Sequence, residues 1–272
     1  MTADRTRHEV DTVAGRLHVE SAGSGPALLC WPSLFCDGRT LEPQVDEFAR
    51  DHRVIVVDGP GHGRSGPPPG RFTLDACARA AVRVLDALAV ERAVFVGTAW
   101  GGHVGAVTVA EFAPRFRAFV AMNAPMNAWT GLLRVKFWTL YSLFRLLGPA
   151  GFIVEAVVGA QLSPSVRAAH PERAAVVAGC VRGSEPRGLA LAIRSAMLDR
   201  PSLLPHLPRI RVPTLFVTGD QDAIYPVEVA RAQAGLIPGA RFEVVAGTAH
   251  QSPLEKPEAV NPLIREFLKG LG

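Results

Sequence analysis

The chain has 272 residues, 48% of them hydrophobic, enough to bury the core of one large domain with room for an inserted subdomain. Its net charge of +4 comes mostly from scattered arginines, and with no basic block or recognised module it argues against a nucleic-acid partner. No apolar run approaches a membrane span, and Met1-Thr2-Ala3-Asp4-Arg5-Thr6-Arg7-His8 lacks the apolar centre of a signal peptide, so a soluble cytoplasmic protein without a membrane partner is expected.

In chain order, short apolar runs alternate with helical patterns. Residues 17–20 read as an early edge strand, 27–31 as a buried strand and 41–50 as a helix. A strand at 54–58 and a helix at 74–88 follow, then a strand at 93–97, a helix at 102–112 and a strand at 119–123. The pattern resumes late in the chain, with strands at 214–219 and 242–245 and helices at 227–234 and 258–268. Apolar strands separated by helices predict an α/β fold with a mainly parallel sheet covered on both faces. In such sheets function collects at the carboxyl ends of the strands.

Between 127 and 206 the rhythm breaks and no strand is predicted. Residues 129–147 are apolar with Arg134, Lys136 and Arg145 interspersed, and Gly148-Pro149 marks a stop. Residues 171–180 and 189–198 read as further helices. The expectation is a core of residues 1–126 and 207–272 with a helical lid, residues 127–206, lying over the strand ends. The apolar stripe then packs on the core, lines a pocket, or does both. Cys30 and Cys77 read as small core residues. None of Cys30, Cys36, Cys77 and Cys180 forms a CxxC pair or stands with histidines at ligand spacing, so no metal is expected.

Four segments carry chemistry. Ala93-Val94-Phe95-Val96-Gly97-Thr98-Ala99-Trp100-Gly101-Gly102 reads as a strand, a sharp turn and a helix, the form of a G-x-S-x-G nucleophile elbow with Ala99 in the nucleophile place. Gly97, Gly101 and Gly102 leave room for the turn, and the Trp100 N–H is expected to face a reacting carbonyl. Cys30-Trp31-Pro32-Ser33-Leu34-Phe35 follows the first buried strand and is expected to supply a second oxyanion N–H, from Leu34 or from neighbouring Ser33. Asp58-Gly59-Pro60-Gly61-His62-Gly63-Arg64-Ser65 is a compact turn whose Asp58 and His62 read as structural. Gly219-Asp220-Gln221-Asp222 and Gly247-Thr248-Ala249-His250 each follow a strand. They supply an acid and a base, with Asp222 preferred over Asp220 by its spacing before a proline-started helix.

On these residues the chain resembles the α/β-hydrolase superfamily along nearly its whole length, including the nucleophile–acid–histidine order. The resemblance implies an eight-stranded sheet, a lid inserted after the sixth strand and Ser–Asp–His chemistry. It is specific for the superfamily and poor for substrate. Two departures stand out: Ala99 where the family usually has Ser, and Pro32-Ser33 where many related enzymes have His-Gly.

Three explanations of Ala99 arise: an inactivated serine enzyme, a nucleophile-free enzyme using the His–Asp pair, and a non-catalytic small-ligand-binding protein. The first is preferred, because replacing Ser by Ala deletes one oxygen and leaves the packing nearly intact. Ser is a better native nucleophile than Asp or Cys. The expected activity is hydrolysis of a small hydrophobic ester or lactone, with a carbon–carbon bond hydrolase as the nearest rival. Ser33, Trp129, Phe137 and Trp138 are expected to contact substrate, no cofactor is needed, and a homodimer is compatible with the sequence.

Overall fold

The computed structural model describes residues 4–271. Residues 1–3, part of the stretch read above for a signal peptide, and residue 272 lie outside the described residues. The elements run β1 (Arg5–Thr12), β2 (Gly15–Ala22), β3 (Ala27–Trp31), α1 (Glu42–Phe48), β4 (Arg53–Val57), α2 (Leu74–Ala87), β5 (Ala93–Thr98), α3 (Trp100–Glu111) and β6 (Phe116–Met122). Five helices follow: α4 (Gly131–Leu147), α5 (Gly151–Gln161), α6 (Pro164–Ala169), α7 (Pro171–Gly183) and α8 (Pro186–Ile193). The chain closes with β7 (Thr214–Gly219), α9 (Val227–Ala234), β8 (Arg241–Val245), α10 (Ser252–Glu255) and α11 (Pro257–Lys269).

The eight strands form one sheet in the order β1-β2-β4-β3-β5-β6-β7-β8. The β1–β2 and β2–β4 pairs are antiparallel and the rest are parallel. The central strands β3 and β5 are buried along their whole length, which is why their sequences are unbroken apolar runs. Successive side chains alternate between two cores. Leu29, Ile55 and Phe95 face the layer that holds α2 and α3, while Leu28, Val54 and Val94 face the layer that holds α1 and α11. Helix α2 shows the local logic. Thr73 caps it by accepting from the Ala76 N–H (3.2 Å), and its buried stripe of Ala76, Cys77, Ala80, Val84 and Leu85 recurs at helical spacing.

Two boundaries differ from the sequence reading. The edge of the sheet is β1, not the strand predicted at 17–20, which is the middle of β2. In β1 only Val10 is buried, so its sequence carries almost no apolar signal. Between β6 and β7 the chain forms helices joined by loops, with α5 and α6 besides the predicted helices; the segment predicted at 189–198 splits into α8 and one wide helical turn, Arg194–Leu198. Among the described residues no helix is long and apolar enough to cross a membrane.

A single buried guanidinium ties both ends of this insertion together. All five N–H groups of Arg200 donate to backbone carbonyls: Nε to Ala196 (3.1 Å), Nη1 to Met126 (3.2 Å) and Pro201 (3.3 Å), Nη2 to Pro125 (3.3 Å) and Asn127 (2.7 Å). The exit from β6 and the return towards β7 are therefore held by one fork whose donors are all used.

Candidate active site

Residue 99 sits where β5 turns into α3. Its backbone lies at φ 49° and ψ −106°, an uncommon combination for a residue with a Cβ. The turn is held by the Ala99 N–H donating to the Met122 carbonyl (2.7 Å) and by the His103 N–H donating to the Ala99 carbonyl (3.0 Å). The flanking glycines are sterically required. A Cβ on Gly101 would stand 1.9 Å from the Trp31 carbonyl oxygen, and one on Gly97 would stand 2.3 Å from the Gly101 carbonyl. The side chain following the elbow, Trp100, is buried edge-on against Trp31 and over the His62 ring.

The residues expected as acid and base come together as a buried pair. His250 Nδ1 lies 2.8 Å from Asp222 Oδ2. With the carboxylate on Nδ1, the imidazole proton belongs there, and Nε2, which has no partner among the described residues, is left as the basic nitrogen. Asp222 is itself closely held. Its Oδ2 also accepts from Asn123 Nδ2 (3.0 Å), and its Oδ1 accepts from the N–H groups of Ile224 (2.9 Å) and Tyr225 (3.0 Å). Burial pushes the Asp222 carboxyl up, but the His250 imidazole, the Asn123 amide and the backbone donors outweigh it and hold it below the ordinary carboxylate range. Asp220, the competing acid, is exposed and accepts from the Gly247 N–H (2.6 Å) instead.

The loop expected to supply the second oxyanion donor follows β3. Among the described residues neither the Leu34 N–H nor the Trp100 N–H has a hydrogen-bond partner. The next peptide is pinned at both ends: the Phe35 N–H donates to His62 Nε2 (3.0 Å), and the Leu34 carbonyl accepts from Gln161 Nε2 (3.3 Å). His62 also donates from Nδ1 to the Pro60 carbonyl (3.1 Å), which fixes its tautomer. Burial lowers its pKa to about 4, so it stays neutral near pH 7. Asp58 is likewise part of the scaffold, its two oxygens accepting from the N–H groups of Gly38 and Arg64 (2.9 Å each).

The substrate-contact expectations divide. Ser33 is buried with no partner for its hydroxyl among the described residues, and Trp129 and Phe137 form a buried edge-to-face pair, 5.1 Å between centroids. Trp138 is not brought to the interior. It is 38% exposed, edge-on to Tyr141 (5.5 Å) with the Arg194 guanidinium over its ring (5.4 Å). One turn after Ala99, His103 is buried with neither ring nitrogen bonded among the described residues. Burial, then the charge of Arg200, holds it well below the ordinary imidazole value. No group of three or more His, Cys, Asp or Glu residues among those described is arranged to hold a metal. All four cysteines are free and buried. A separate cleft of about 870 Å³ along β2 and β4 is lined by charged groups that pair with one another, such as Arg39 with Asp37 and Arg64 with Glu20.

A family model described as "Alpha/beta hydrolase family" matches residues 22–263. The chain belongs to the alpha/beta hydrolase family. It is similar to a putative carbamate hydrolase RutD of Azorhizobium caulinodans, 29% identical over 92% of this chain and 94% of that one. It is also similar to 3-oxoadipate enol-lactonase 2 of Acinetobacter baylyi, 24% identical over 90% of this chain and 89% of that one. Among solved structures it resembles a thermophilic esterase from Thermogutta terrifontis, with 28% identity, a TM-score of 0.90, and coverage of 98% of this chain and 99% of that chain.

Within this alpha/beta hydrolase, five residues at the site escaped the sequence reading: Asn123, Gln161, Gln251, Ser252 and Glu255. Asn123 has positive φ at the end of β6, and its side chain joins Asp222 to the Ala249 carbonyl (2.8 Å) and accepts from Ser252 Oγ. Glu255 is fully buried and accepts from the N–H groups of Ala249 (2.8 Å), Gln251 (3.3 Å) and Ser163 (2.8 Å). An Asn ending an apolar strand and a Glu five places after the histidine are the only traces these contacts leave in the sequence.

Proposed function

We propose that the chain is a hydrolase of carboxylic esters or lactones with a hydrophobic acyl or ring part, built for Ser–His–Asp catalysis and closed to covalent attack by the methyl group at residue 99. One observation carries this reading: an assembled His250–Asp222 pair and an elbow that keeps its strained backbone at Ala99 both follow the carboxyl ends of parallel strands of one sheet. An ordinary helix start needs no such strain, whereas a projecting nucleophile does.

With a hydroxyl at position 99, the steps follow from the groups in place. The hydroxyl gives its proton to His250 Nε2 and attacks the acyl carbon, and Asp222 stabilises the resulting imidazolium. The N–H groups of Leu34 and Trp100 take the oxyanion charge, a contribution of about 3 kcal/mol per donor. His250 then protonates the leaving group, and water cleaves the acyl-enzyme by the same route. Ala99 offers no oxygen, so the chain as it stands polarises an acyl group and lacks the atom that attacks it. The name of the relative from A. caulinodans adds carbamates to the candidate substrates, since they undergo the same carbonyl attack. Trp129, Phe137 and Ser33 would meet the substrate, in a chain acting in the cytoplasm without a cofactor.

A second reading rests on the free Nε2 of His250. A water molecule deprotonated there would attack the carbonyl directly, with no acyl-enzyme. Turnover of 4-nitrophenyl esters and a lactone panel separates the two. The first reading predicts that Ala99→Ser raises ester hydrolysis about 100-fold or more, and that adding His250→Ala abolishes the gain. Turnover by the unaltered chain, lost on His250→Ala, supports water attack. No gain from Ala99→Ser overturns the first reading.

A further inference from the structure

The peptide joining Leu34 to Phe35 is held in a conformation it would not choose alone. Phe35 has φ +69°, a left-handed value that costs a bulky residue on the order of 1 kcal/mol or more. Rotating this peptide about its axis would return Phe35 to negative φ and relieve the strain. Two contacts oppose the rotation, one at each end of the peptide. His62, from the core, accepts the Phe35 N–H, and Gln161, the last residue of α5 in the insertion, donates to the Leu34 carbonyl.

Gln161 is in turn oriented from the histidine loop. Gln251, next to His250, donates from Nε2 to Gln161 Oε1, which leaves the Gln161 amide nitrogen facing Leu34. The same Gln251 nitrogen lies 3.6 Å from Cys36 Sγ. Both glutamines are buried. Two residues beyond Gln161, the Ser163 N–H donates to Glu255, whose other oxygen holds the backbone of Ala249 and Gln251. The junction between α5 and α6 is therefore fastened to both the donor loop and the histidine loop.

We infer that Gln161 is a positioning residue: with Gln251 it locks the Leu34–Phe35 peptide, the one directly after the peptide that carries the Leu34 N–H, so that the helical insertion restrains the loop from which that N–H projects. This rests on the proposed use of that N–H as an oxyanion donor. It also means that the α5–α6 half of the insertion does not swing freely over the site, because moving it would release the donor loop.

The test compares Gln161→Met, which keeps the volume and removes both hydrogen bonds, with Gln161→Glu, which keeps the acceptor towards Gln251 and loses the donor towards Leu34. The first readout is amide hydrogen exchange of Phe35, beside the urea midpoint of the whole chain. The lock predicts faster Phe35 exchange in both variants, beyond any change in global stability. Unchanged Phe35 exchange in both overturns it, whatever the enzyme does. The second readout uses the Ala99→Ser background, where the lock predicts a kcat about tenfold lower with KM within about twofold. Faster Phe35 exchange with an unaltered kcat in an active Ala99→Ser enzyme overturns the catalytic consequence. An inactive Ala99→Ser enzyme counts against the proposed function, and the exchange result still decides the lock.

Discussion

At the scale of single residues, the site is a set of side chains held by neighbours rather than by their own preferences. Asp222 is buried yet ionised because four donors surround it, and His250 takes its orientation from Asp222. His62 shows how burial turns into a pH dependence. Its pKa falls from the ordinary 6.5 to about 4 on folding. Below about pH 6.5 the unfolded chain binds a proton that the folded chain refuses, so stability declines as pH falls to about 4 and this contribution then levels off. The shift corresponds to about 3 kcal/mol over that window. Urea titrations between pH 7 and pH 4 should show a shallower decline in His62→Gln than in the unaltered chain, and equal slopes would contradict the assignment.

Elements differ in how plainly the sequence announces them. Strands β3, β5 and β7 are buried on both faces, so burial alone makes them apolar runs with legible ends. Strand β1 is an antiparallel edge with seven of its eight residues outside the core, and its Arg-Thr-Arg-His-Glu pattern resembles a loop. Helix α5 was illegible for the opposite reason. Ile153, Val154, Val157 and Val158 are poor helix formers and form a helix because that face is buried. Asp222 and His250 were legible because each follows a strand in a short motif. Asn123, Gln161, Gln251 and Glu255 were not, because a lone polar residue has no period and its partner lies far along the chain. Asn123 and Asp222, for example, are 99 residues apart. The join between core and insertion makes its own prediction. Arg200→Met removes the guanidinium donor from five carbonyls, of which that of Met126 keeps the Leu203 N–H, and should destabilise the chain by about 3 kcal/mol, with Arg200→Lys losing less. Equal urea midpoints for Arg200→Met and the unaltered chain would show that the fork carries no such burden.

The whole molecule brings together three strand ends. β5 delivers residue 99, the turn after β7 delivers Asp222, and the turn after β8 delivers His250, all at the carboxyl edge of the parallel part of one sheet. The insertion after β6 contributes the buried Trp129–Phe137 pair and, through Gln161, a hold on the donor loop. Fold and acid–base pair were thus readable from spacing, whereas the clamps that fix their geometry belong to the tertiary structure alone. Covalent trapping shows whether a hydroxyl at residue 99 attacks an acyl carbon. The Ala99→Ser variant is mixed with 4-nitrophenyl butyrate, quenched in acid and digested for mass analysis. One butyryl group is expected on the peptide that spans residue 99, absent from the unaltered chain and from Ala99→Ser with His250→Ala. No adduct on that peptide, or an equal adduct without His250, would contradict this expectation.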